Sequence, residues 1–259
     1  MILKERERKK EKEVEKKSSL SERSTTAERF DVLCDDSIKW LQKQKDKSLC
    51  NVATGVPDMN EVNLPLQKYL LFFRNVVKLI FQKTDPDGYC IFVQTDRKVD
   101  KTLIDKSYLI TDEAYKCGFK CIFHKIIMTR PADSTDLFRP TYSHILGYTI
   151  SGKTGRQSPD VISYTQKSKL YENGTPLKAC GFIASFLKST YIKQKLKHKS
   201  KINKSCKTCT YDVVDPFCGR ATIGIYCLKE NISYLGIDIN EEQCIISRKN
   251  LNNQIQLLL

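Results

Sequence analysis

The residues with the clearest chemical signature lie between Asp215 and Asp238, near the end of the chain. A predicted hydrophobic strand ends at Asp215 and is followed by a turn that contains Gly219 and by a helix predicted to begin at Thr222. A glycine turn lets the backbone approach a ligand closely, and the free amides of a helix N-terminus bind polar or anionic groups. A second predicted strand ends at Asp238, where a carboxylate can accept hydrogen bonds from both hydroxyls of a ribose.

This turn, helix and acid at the end of a second strand together favour a pocket for a nucleoside-containing cofactor. A dinucleotide is disfavoured, because the segment lacks the full Gly-x-Gly-x-x-Gly pattern that holds a pyrophosphate. The alternative is an ordinary α/β sheet that carries a glycine turn and a surface aspartate.

Other polar side chains are also predicted to lie where ligands bind. Thr95 and Asp96 follow a predicted central strand that ends at Gln94, so we expect them at the carboxyl edge of the sheet, where either one is a candidate to face a substrate. His124 and His144 fall inside predicted strands and are expected to be structural. No metal site is predicted.

The elements that must position these residues alternate between strand and helix, which predicts a doubly wound, mostly parallel α/β sheet. Two strands, 120–128 and 143–148, lack a helix between them and are expected to pair as a ribbon. The pattern further predicts a turn at 85–88, a helix near 102–117 and a polar loop over 152–171.

Composition divides the chain into a tail and one domain. Residues 1–29 are charged and almost without apolar side chains, which predicts a disordered or helical tail before a domain over 30–259. Residues 188–207 contain lysines and no acid, which predicts an exposed basic loop that holds phosphates without reading sequence. A functionally neutral insert is the alternative. The candidate nucleic-acid contacts are Lys193, Lys195, Lys197, Lys199 and Lys201.

The net charge of +14 favours a polyanionic partner such as nucleic acid, although an AT-rich genome would also enrich lysine. The chain shows no signal peptide and no segment long enough to span a membrane. We therefore expect an intracellular protein, nuclear or cytoplasmic, whose eleven cysteines are reduced. Cys206 and Cys209 form a single Cys-x-x-Cys pair, which is too few ligands for zinc.

Residues 215–219, Asp-Pro-Phe-Cys-Gly, resemble the DPFxGxGT cofactor motif of the N6-adenine/N4-cytosine DNA methylase superfamily. Residues 33–41 are similar to that superfamily's GDSLEWL segment, 143–148 to its E-x-I-L-x-F strand, and 175–178 to its KP segment. The resemblance covers about residues 30–250 in order. The late position of the DPF motif is that of the circularly permuted beta class.

The resemblance implies a Rossmann-like methyltransferase fold in permuted order, with S-adenosylmethionine as the cofactor. The residues that match the cofactor site are Asp36, Asp215, Phe217, Gly219, Arg220, Thr222 and Asp238. Two positions depart from the motif. Ala221 replaces its second glycine, so its methyl group is expected to tighten the fit, and Arg220 adds a cation near the cofactor carboxylate.

The family's acceptor loop, (D/N/S)PP(Y/F), compensates for the poor nucleophilicity of an amino group whose lone pair is delocalised into the base. A polar side chain and a carbonyl orient the amino group, and the aromatic residue stacks on the extruded base. The matching loop here has Gly55 at the polar position, Pro57 as the direct match and Asp58 at the aromatic position. Thr54, Pro57 and Asp58 are the candidate catalytic residues. The alternative is a plain loop in which Asp58 caps a helix.

The function that the resemblance implies is methylation of an exocyclic amino group in DNA or RNA. One alternative is a degenerate, inactive methyltransferase fold that binds nucleic acid or serves as a partner subunit. Another is methylation of protein side-chain amides. The sequence predicts no membrane partner and leaves the oligomeric state open.

Overall fold

The computed structural model of the protein describes residues 29–155, 157–171, 174–192 and 210–258. Its strands are β1 (Phe30–Cys34), β2 (Leu49–Thr54), β3 (Thr84–Gln94), β4 (Arg97–Val99), β5 (Thr102–Ile104), β6 (Lys120–Met128), β7 (Tyr142–Thr149), β8 (Val161–Ile162), β9 (Val213–Asp215) and β10 (Tyr234–Asp238). Its α-helices are α1 (Ser37–Lys43), α2 (Met59–Val62), α3 (Leu66–Lys83), α4 (Lys106–Lys116), α5 (Leu177–Leu187), α6 (Thr222–Lys229) and α7 (Glu241–Gln256).

Eight strands form one sheet in the order β1-β10-β9-β2-β3-β7-β6-β8. The first five run parallel to one another, while β7 runs antiparallel to both β3 and β6. The predicted mostly parallel α/β sheet is therefore confirmed, and so is the pairing of the strands at 120–128 and 143–148.

Helices cover both faces of this sheet. Helices α1, α3 and α4 pack on one face, and α5, α6 and α7 pack on the other. Consecutive residues of β3 point to opposite faces, so Ile91 packs on the side of Ile183 in α5, while Phe92 packs on the side of Phe73 in α3. All four side chains are nearly inaccessible to solvent, and burying each contributes about 1.5–3 kcal/mol.

The sheet order brings the chemically interesting loops to one edge. The residues that follow the parallel strands β1, β2, β3, β9 and β10 all emerge at their carboxyl ends. Because β7 is antiparallel to β3, its first residues lie at the same edge, and His144 pairs with Gln94 at the end of β3. Ligands of open α/β sheets bind at this edge.

Two of the predicted connections differ in the structure. Residues 85–88, predicted as a turn, belong to β3, because Thr84 already pairs with Leu49 and the register shifts before Asn51. The predicted polar loop over 152–171 includes β8, which pairs with β6.

The helix predicted near 102–117 begins later, at Lys106. Asp105 caps it by accepting a hydrogen bond from the Tyr108 amide at 2.8 Å. The residues before it form β5, which pairs with β4 in a separate two-stranded ribbon.

The predicted exposed loop over 188–207 is wrong at its beginning, where Lys188–Ile192 continue α5 as a π-helical turn. Thr190 in this turn is buried and donates to the Phe186 carbonyl, so the chain remains packed there. The candidate lysines between 193 and 201, the Cys206–Cys209 pair and the tail over 1–28 lie outside the described residues.

Candidate functional site

A cavity of about 880 Å³ opens at the carboxyl edge of the sheet. It is lined by the loops that follow β1, β2, β3, β9 and β10, together with the segment before α5. Most of the predicted site residues line it, namely Asp36, Pro57, Asp58, Asp215, Phe217, Gly219, Arg220, Thr222 and Asp238. Thr54 is fully buried beneath the loop.

The glycine turn and the acid at the end of β10 hold each other in place. Gly219 has a φ of 52°, and its amide donates to Oδ2 of Asp238 at 2.9 Å. The amide of Asn240 donates to Oδ1 of the same carboxylate, also at 2.9 Å. These bonds fix the orientation of a carboxylate that lines the cavity and retains lone pairs for a ligand hydroxyl.

Tyr171, in the segment before α5, closes the glycine turn from the other side. Its hydroxyl accepts a hydrogen bond from the Arg220 amide at 3.2 Å, and the Arg220 guanidinium lies 4.7 Å from the centre of its ring. A Cβ atom at Gly219 would lie 2.9 Å from this hydroxyl. Burial raises the pKa of Tyr171, which keeps the phenol protonated. No motif marked Tyr171 in advance, because it sits in a polar segment without periodicity.

Ala221 is the last residue before α6 and adopts the left-handed conformation, with a φ of 55°. It is fully buried in the core of the α5–α7 face and lies outside the cavity lining. The expectation that its methyl group narrows the pocket is therefore wrong.

Asp215 is a buried junction between the two sides of the cavity. Its carboxylate accepts hydrogen bonds from the Thr54 hydroxyl at 2.6 Å, the Tyr234 hydroxyl at 3.1 Å and the Phe217 amide at 3.3 Å. Burial raises its pKa to about 7, although these three donors act in the opposite direction. The side chain thus ties the loop after β2 to the turn after β9.

Asp36 holds the first turn of α1 at the cavity. It caps the helix by accepting from the amides of Ile38 and Lys39 at 3.0 and 3.3 Å. The hydroxyl of Ser37 donates to the carbonyl of Pro216, which fastens the start of α1 to the turn after β9.

The loop after β2 is held by polar contacts to its backbone. Gln94 clamps Val56, since its amide oxygen accepts from the Val56 nitrogen at 3.0 Å and its amide nitrogen donates to the Val56 carbonyl at 3.1 Å. A Cβ atom at Gly55 would come within 2.9 Å of a carbonyl of β3, so the close approach favours glycine. The Pro57 carbonyl accepts from the Tyr69 hydroxyl at 3.1 Å.

Asp58 forms the centre of a cluster of cations. It caps α2 in a capping box with Glu61, as the alternative interpretation of the sequence expected. Its Oδ1 lies 2.9 Å from the Lys106 ammonium, and its Oδ2 lies 2.9 Å from Arg139 and 3.4 Å from Arg97. The carboxylate is therefore held in place by both the helix backbone and three basic side chains.

The two partners of the central pair each stabilise the charged form of the other. Burial alone would raise the pKa of Asp58, but Lys106, the Met59 amide and Arg139 together hold it below its ordinary value. Burial lowers the pKa of Lys106, whose side chain is 1% exposed, while Asp58 acts against that shift. An aspartate in these surroundings is a poor proton acceptor.

Thr95 and Ser143 place two hydroxyl groups on the cavity wall formed by β3 and β7. Their oxygens are 2.5 Å apart and share a hydrogen bond. One hydroxyl of such a pair donates to the other, which leaves lone pairs and one proton for a polar substrate.

Asp96, also predicted to face a substrate, is buried behind this wall. Its Oδ1 accepts from the Lys106 amide at 2.8 Å, and its Oδ2 lies 2.9 Å from Nε2 of His144. His144 Nδ1 in turn lies 2.8 Å from Nε2 of His124. The chain of side chains holds the start of α4 against the sheet, and both histidines belong to it.

Sequence patterns did not point to Lys106, Arg97 or Arg139 as site residues. They lie 48, 39 and 81 residues away from Asp58 along the chain, so no local motif joins them. In the part of the chain that the structure describes, no helix is long and apolar enough to cross a membrane. Among the same residues, no group of three or more His, Cys, Asp or Glu side chains is placed to hold a metal ion.

Comparison with known proteins adds a family and a fold. A family model described as DNA methylase, of the N6/N4 methyltransferase type, matches residues 57–249. No curated protein sequence matches the chain.

Solved structures share the fold at low sequence identity. The cytosine-N4-specific PvuII DNA methyltransferase has a TM-score of 0.60 and 13% identity, over 89% of this chain and 90% of its own. TTHA0409 from Thermus thermophilus, in complex with S-adenosyl-L-methionine, has a TM-score of 0.59 and 14% identity, over 86% and 95%. The M1.HpyAVI–SAM complex has a TM-score of 0.54 and 17% identity, over 86% and 99%.

Proposed function

This chain belongs to the DNA methylase family, and from that premise we propose that it methylates an exocyclic amino nitrogen of a DNA base, using S-adenosylmethionine. One observation carries the proposal. A single cavity joins the glycine turn and Asp238 on one side to the loop Gly55–Asp58 on the other. Its volume of about 880 Å³ is within the usual range for a ligand-sized pocket.

The residues of the glycine turn have the chemistry that the cofactor needs. Asp238 presents carboxylate oxygens for a ribose diol, and Asp36 lines the wall beside it. Arg220, in the turn before α6, and Thr222, the first residue of α6, offer a cation and a hydroxyl for the amino-acid portion. Asp215 and Phe217 shape the turn between them. When bound, S-adenosylmethionine supplies an electrophilic methyl group on a sulfonium centre.

On the acceptor side, the protein's task is to orient a weakly nucleophilic amino group. The Pro57 carbonyl has a second lone pair besides the one that accepts from Tyr69, so it can also accept from the amino group. The hydroxyls of Thr95 and Ser143 are further acceptors on the same cavity wall. Thr54 and Asp58 act by holding the loop, the first through Asp215 and the second through its cations.

The net charge of +14 supports a nucleic-acid substrate, and Lys193, Lys195, Lys197, Lys199 and Lys201 are proposed to contact phosphates without reading sequence. The family favours DNA over RNA.

The second candidate is an inactive methyltransferase fold that binds nucleic acid. Gly55 and Asp58 favour it, because they occupy the positions where the family's acceptor loop has a polar side chain and a stacking aromatic ring.

The test is transfer of a radiolabelled methyl group from S-adenosylmethionine to DNA, to RNA and to protein, with digestion of the product to identify the modified nucleoside. We expect label in N6-methyladenine or N4-methylcytosine from DNA. Asp238→Ala should lower the transfer at least tenfold, mainly through a higher KM for the cofactor. Asp46→Ala is the control, because Asp46 is 70% exposed, pairs with Lys83 and lies outside the cavity lining.

Calorimetry with S-adenosylmethionine separates the two candidates. Binding of the cofactor without incorporation into any of the three polymers would contradict the enzyme and support the inactive fold. Incorporation into RNA or protein alone would reassign the substrate.

A further inference from the structure

The loop between β6 and β7, residues 129–141, exposes two adjacent apolar side chains to solvent. Leu137 is 84% exposed and Phe138 is 62% exposed. A single exposed apolar residue is ordinary on a protein surface. Two in succession beside a functional cavity are typical of a contact surface.

Hydrogen bonds fix the backbone that carries this pair. Asp136 Oδ1 accepts from the amides of Phe138 and Arg139, at 2.8 and 3.0 Å. The Phe138 carbonyl accepts from the amide of Lys98 at 2.8 Å, and the Lys98 ammonium donates to the Asp136 carbonyl at 2.8 Å. The apolar pair is therefore presented in a set conformation, tied to β4.

The pair lies directly beside the acceptor side of the cavity. Arg139, the next residue after Phe138, lines the cavity and bonds to Asp58. Arg97, which also bonds to Asp58, lies 5.9 Å from the centre of the Phe138 ring. Phe138 is therefore the sequence neighbour of a residue of the cavity wall, and a molecule that contacts Phe138 lies beside the cavity.

Basic side chains flank the pair, and three of them are held in ion pairs. The loop and the β4–β5 ribbon contain five basic residues, Arg97, Lys98, Lys101, Arg130 and Arg139, and three acidic ones, Asp100, Asp133 and Asp136. Asp136 pairs with Arg130, and Asp58 pairs with both Arg97 and Arg139, so the local excess of positive charge is small. On a chain of net charge +14, an apolar pair flanked by basic side chains complements duplex DNA, which offers phosphates beside stacked bases.

We propose that Leu137 and Phe138 form an apolar wedge that enters the base stack of duplex DNA beside the target base. The inference rests on the proposed function, because an amino group inside a duplex reaches the cavity only when its base leaves the stack. Extrusion leaves a gap, and apolar side chains inserted at a base step stabilise the opened duplex. The fixed loop places them at that step while the base enters the cavity.

The test compares one target sequence in two forms, as a duplex and as a single strand, with the Leu137→Ala/Phe138→Ala double variant. We expect kcat/KM on the duplex to fall about 10–100-fold, the effect of losing a few kcal/mol of help in unstacking, and to stay within about twofold on the single strand. The control is Leu257→Ala, which removes an equally exposed leucine (81%) beyond the end of α7.

An equal loss on duplex and single strand would overturn the wedge, because it would mean that the pair only supports the loop. An unchanged rate on the duplex would overturn it as well. A readout independent of methyl transfer is the fluorescence of 2-aminopurine at a central mismatch, which rises when the base unstacks. If the wild-type chain methylates no DNA, the proposed function fails. In that case the fluorescence tests the wedge alone: a rise with the wild type that the double variant lacks supports it, and a rise of equal size with both, or with neither, overturns it.

Discussion

On the side of the cavity formed by β9, α6 and β10, the contact between the glycine turn and the acid is short-range and uses the backbone, and side chains from distant parts of the chain, such as Tyr171 and Thr54, add to it. Gly219 and Asp238, 19 residues apart, hold each other through an amide and a carboxylate. On the side of the loop after β2, Asp58 is held by side chains that lie 39 to 81 residues away. The first side is a folded motif, whereas the second is assembled from distant parts of the chain by ion pairs.

The two sides of the cavity differ in what makes them rigid. Backbone contacts near a glycine turn form as soon as the strand, turn and helix form. The ion pairs around Asp58 need β4, α4 and the loop after β6 to be in place together. Changes at Asp58 should therefore affect the stability of the whole domain, while changes near the glycine turn should remain local.

The largest effect is expected from Asp58→Ala. Removing this carboxylate leaves the Lys106 ammonium, whose side chain is 1% exposed, without its charged partner, and it also removes the cap of α2. Breaking one partner of a buried pair costs about 3–5 kcal/mol. We expect the free energy of unfolding in urea to fall by that amount, with the cofactor affinity of the folded fraction unchanged.

Glu230→Ala is the matched control, because it breaks an acid–lysine pair in which both side chains reach solvent, Lys188 at 48% and Glu230 at 34% exposure. The expected loss there is below about 1 kcal/mol. If Asp58→Ala cost no more than this control, the ion pairs would not organise the acceptor side. If it weakened cofactor binding, the two halves would not be independent.

The same contrast explains what the sequence predicts well and what it does not. The strand ending at Asp215, the turn at Gly219 and the acid at Asp238 are near one another in sequence, and the structure joins them in one cavity wall. The partners of Asp58 carry no such signal, because a lysine at 106 or an arginine at 139 resembles any surface charge. No sequence pattern indicates Tyr171, for the same reason. Helix α4 begins later than the sequence predicts because the residues before it pair with β4 as strand β5. The permuted order and the individual site roles stay predictions.

A smaller effect, a loss of stability as the pH rises, is expected from the Asp215 carboxyl. Its pKa in the folded protein is raised to about 7 by burial, against an ordinary value of 3.8. Between about pH 4 and 7 the unfolded chain loses this proton while the folded protein keeps it, so stability falls as pH rises. Relative to Asp215→Asn, the wild-type chain should lose roughly 2–4 kcal/mol of unfolding free energy over that window.

Urea unfolding of both proteins at intervals from pH 4 to 8 measures this difference. Asp215→Asn is the control, because its amide does not titrate but has nearly the size and shape of the carboxyl group. The cations around Asp58 give that carboxyl the opposite behaviour, since its lowered pKa adds stability that is lost as pH falls. A wild-type chain that gained stability over Asp215→Asn between pH 4 and 7 would contradict the raised pKa. It would mean that the bonds from Thr54, Tyr234 and the Phe217 amide outweigh burial.

The smallest effect is expected from Ala221→Gly, which tests how local the glycine-turn side is. Ala221 has a φ of 55°, a conformation that costs a residue with a Cβ about 1–2 kcal/mol, so glycine relieves strain there. Against this, glycine loses about 0.5–1 kcal/mol more in chain entropy on folding, and the variant also loses the buried methyl group. These terms nearly cancel, so unfolding should change by less than about 1 kcal/mol. Because Ala221 lies outside the cavity lining, the Kd for S-adenosylmethionine should stay within about twofold.

The reciprocal variant, Gly219→Ala, puts its Cβ 2.9 Å from the Tyr171 hydroxyl at a φ of 52°, so it should weaken cofactor binding measurably by calorimetry. If Ala221→Gly changed the affinity as much as Gly219→Ala did, the turn would move as a unit with the start of α6, and the cofactor side would be less local than its contacts indicate.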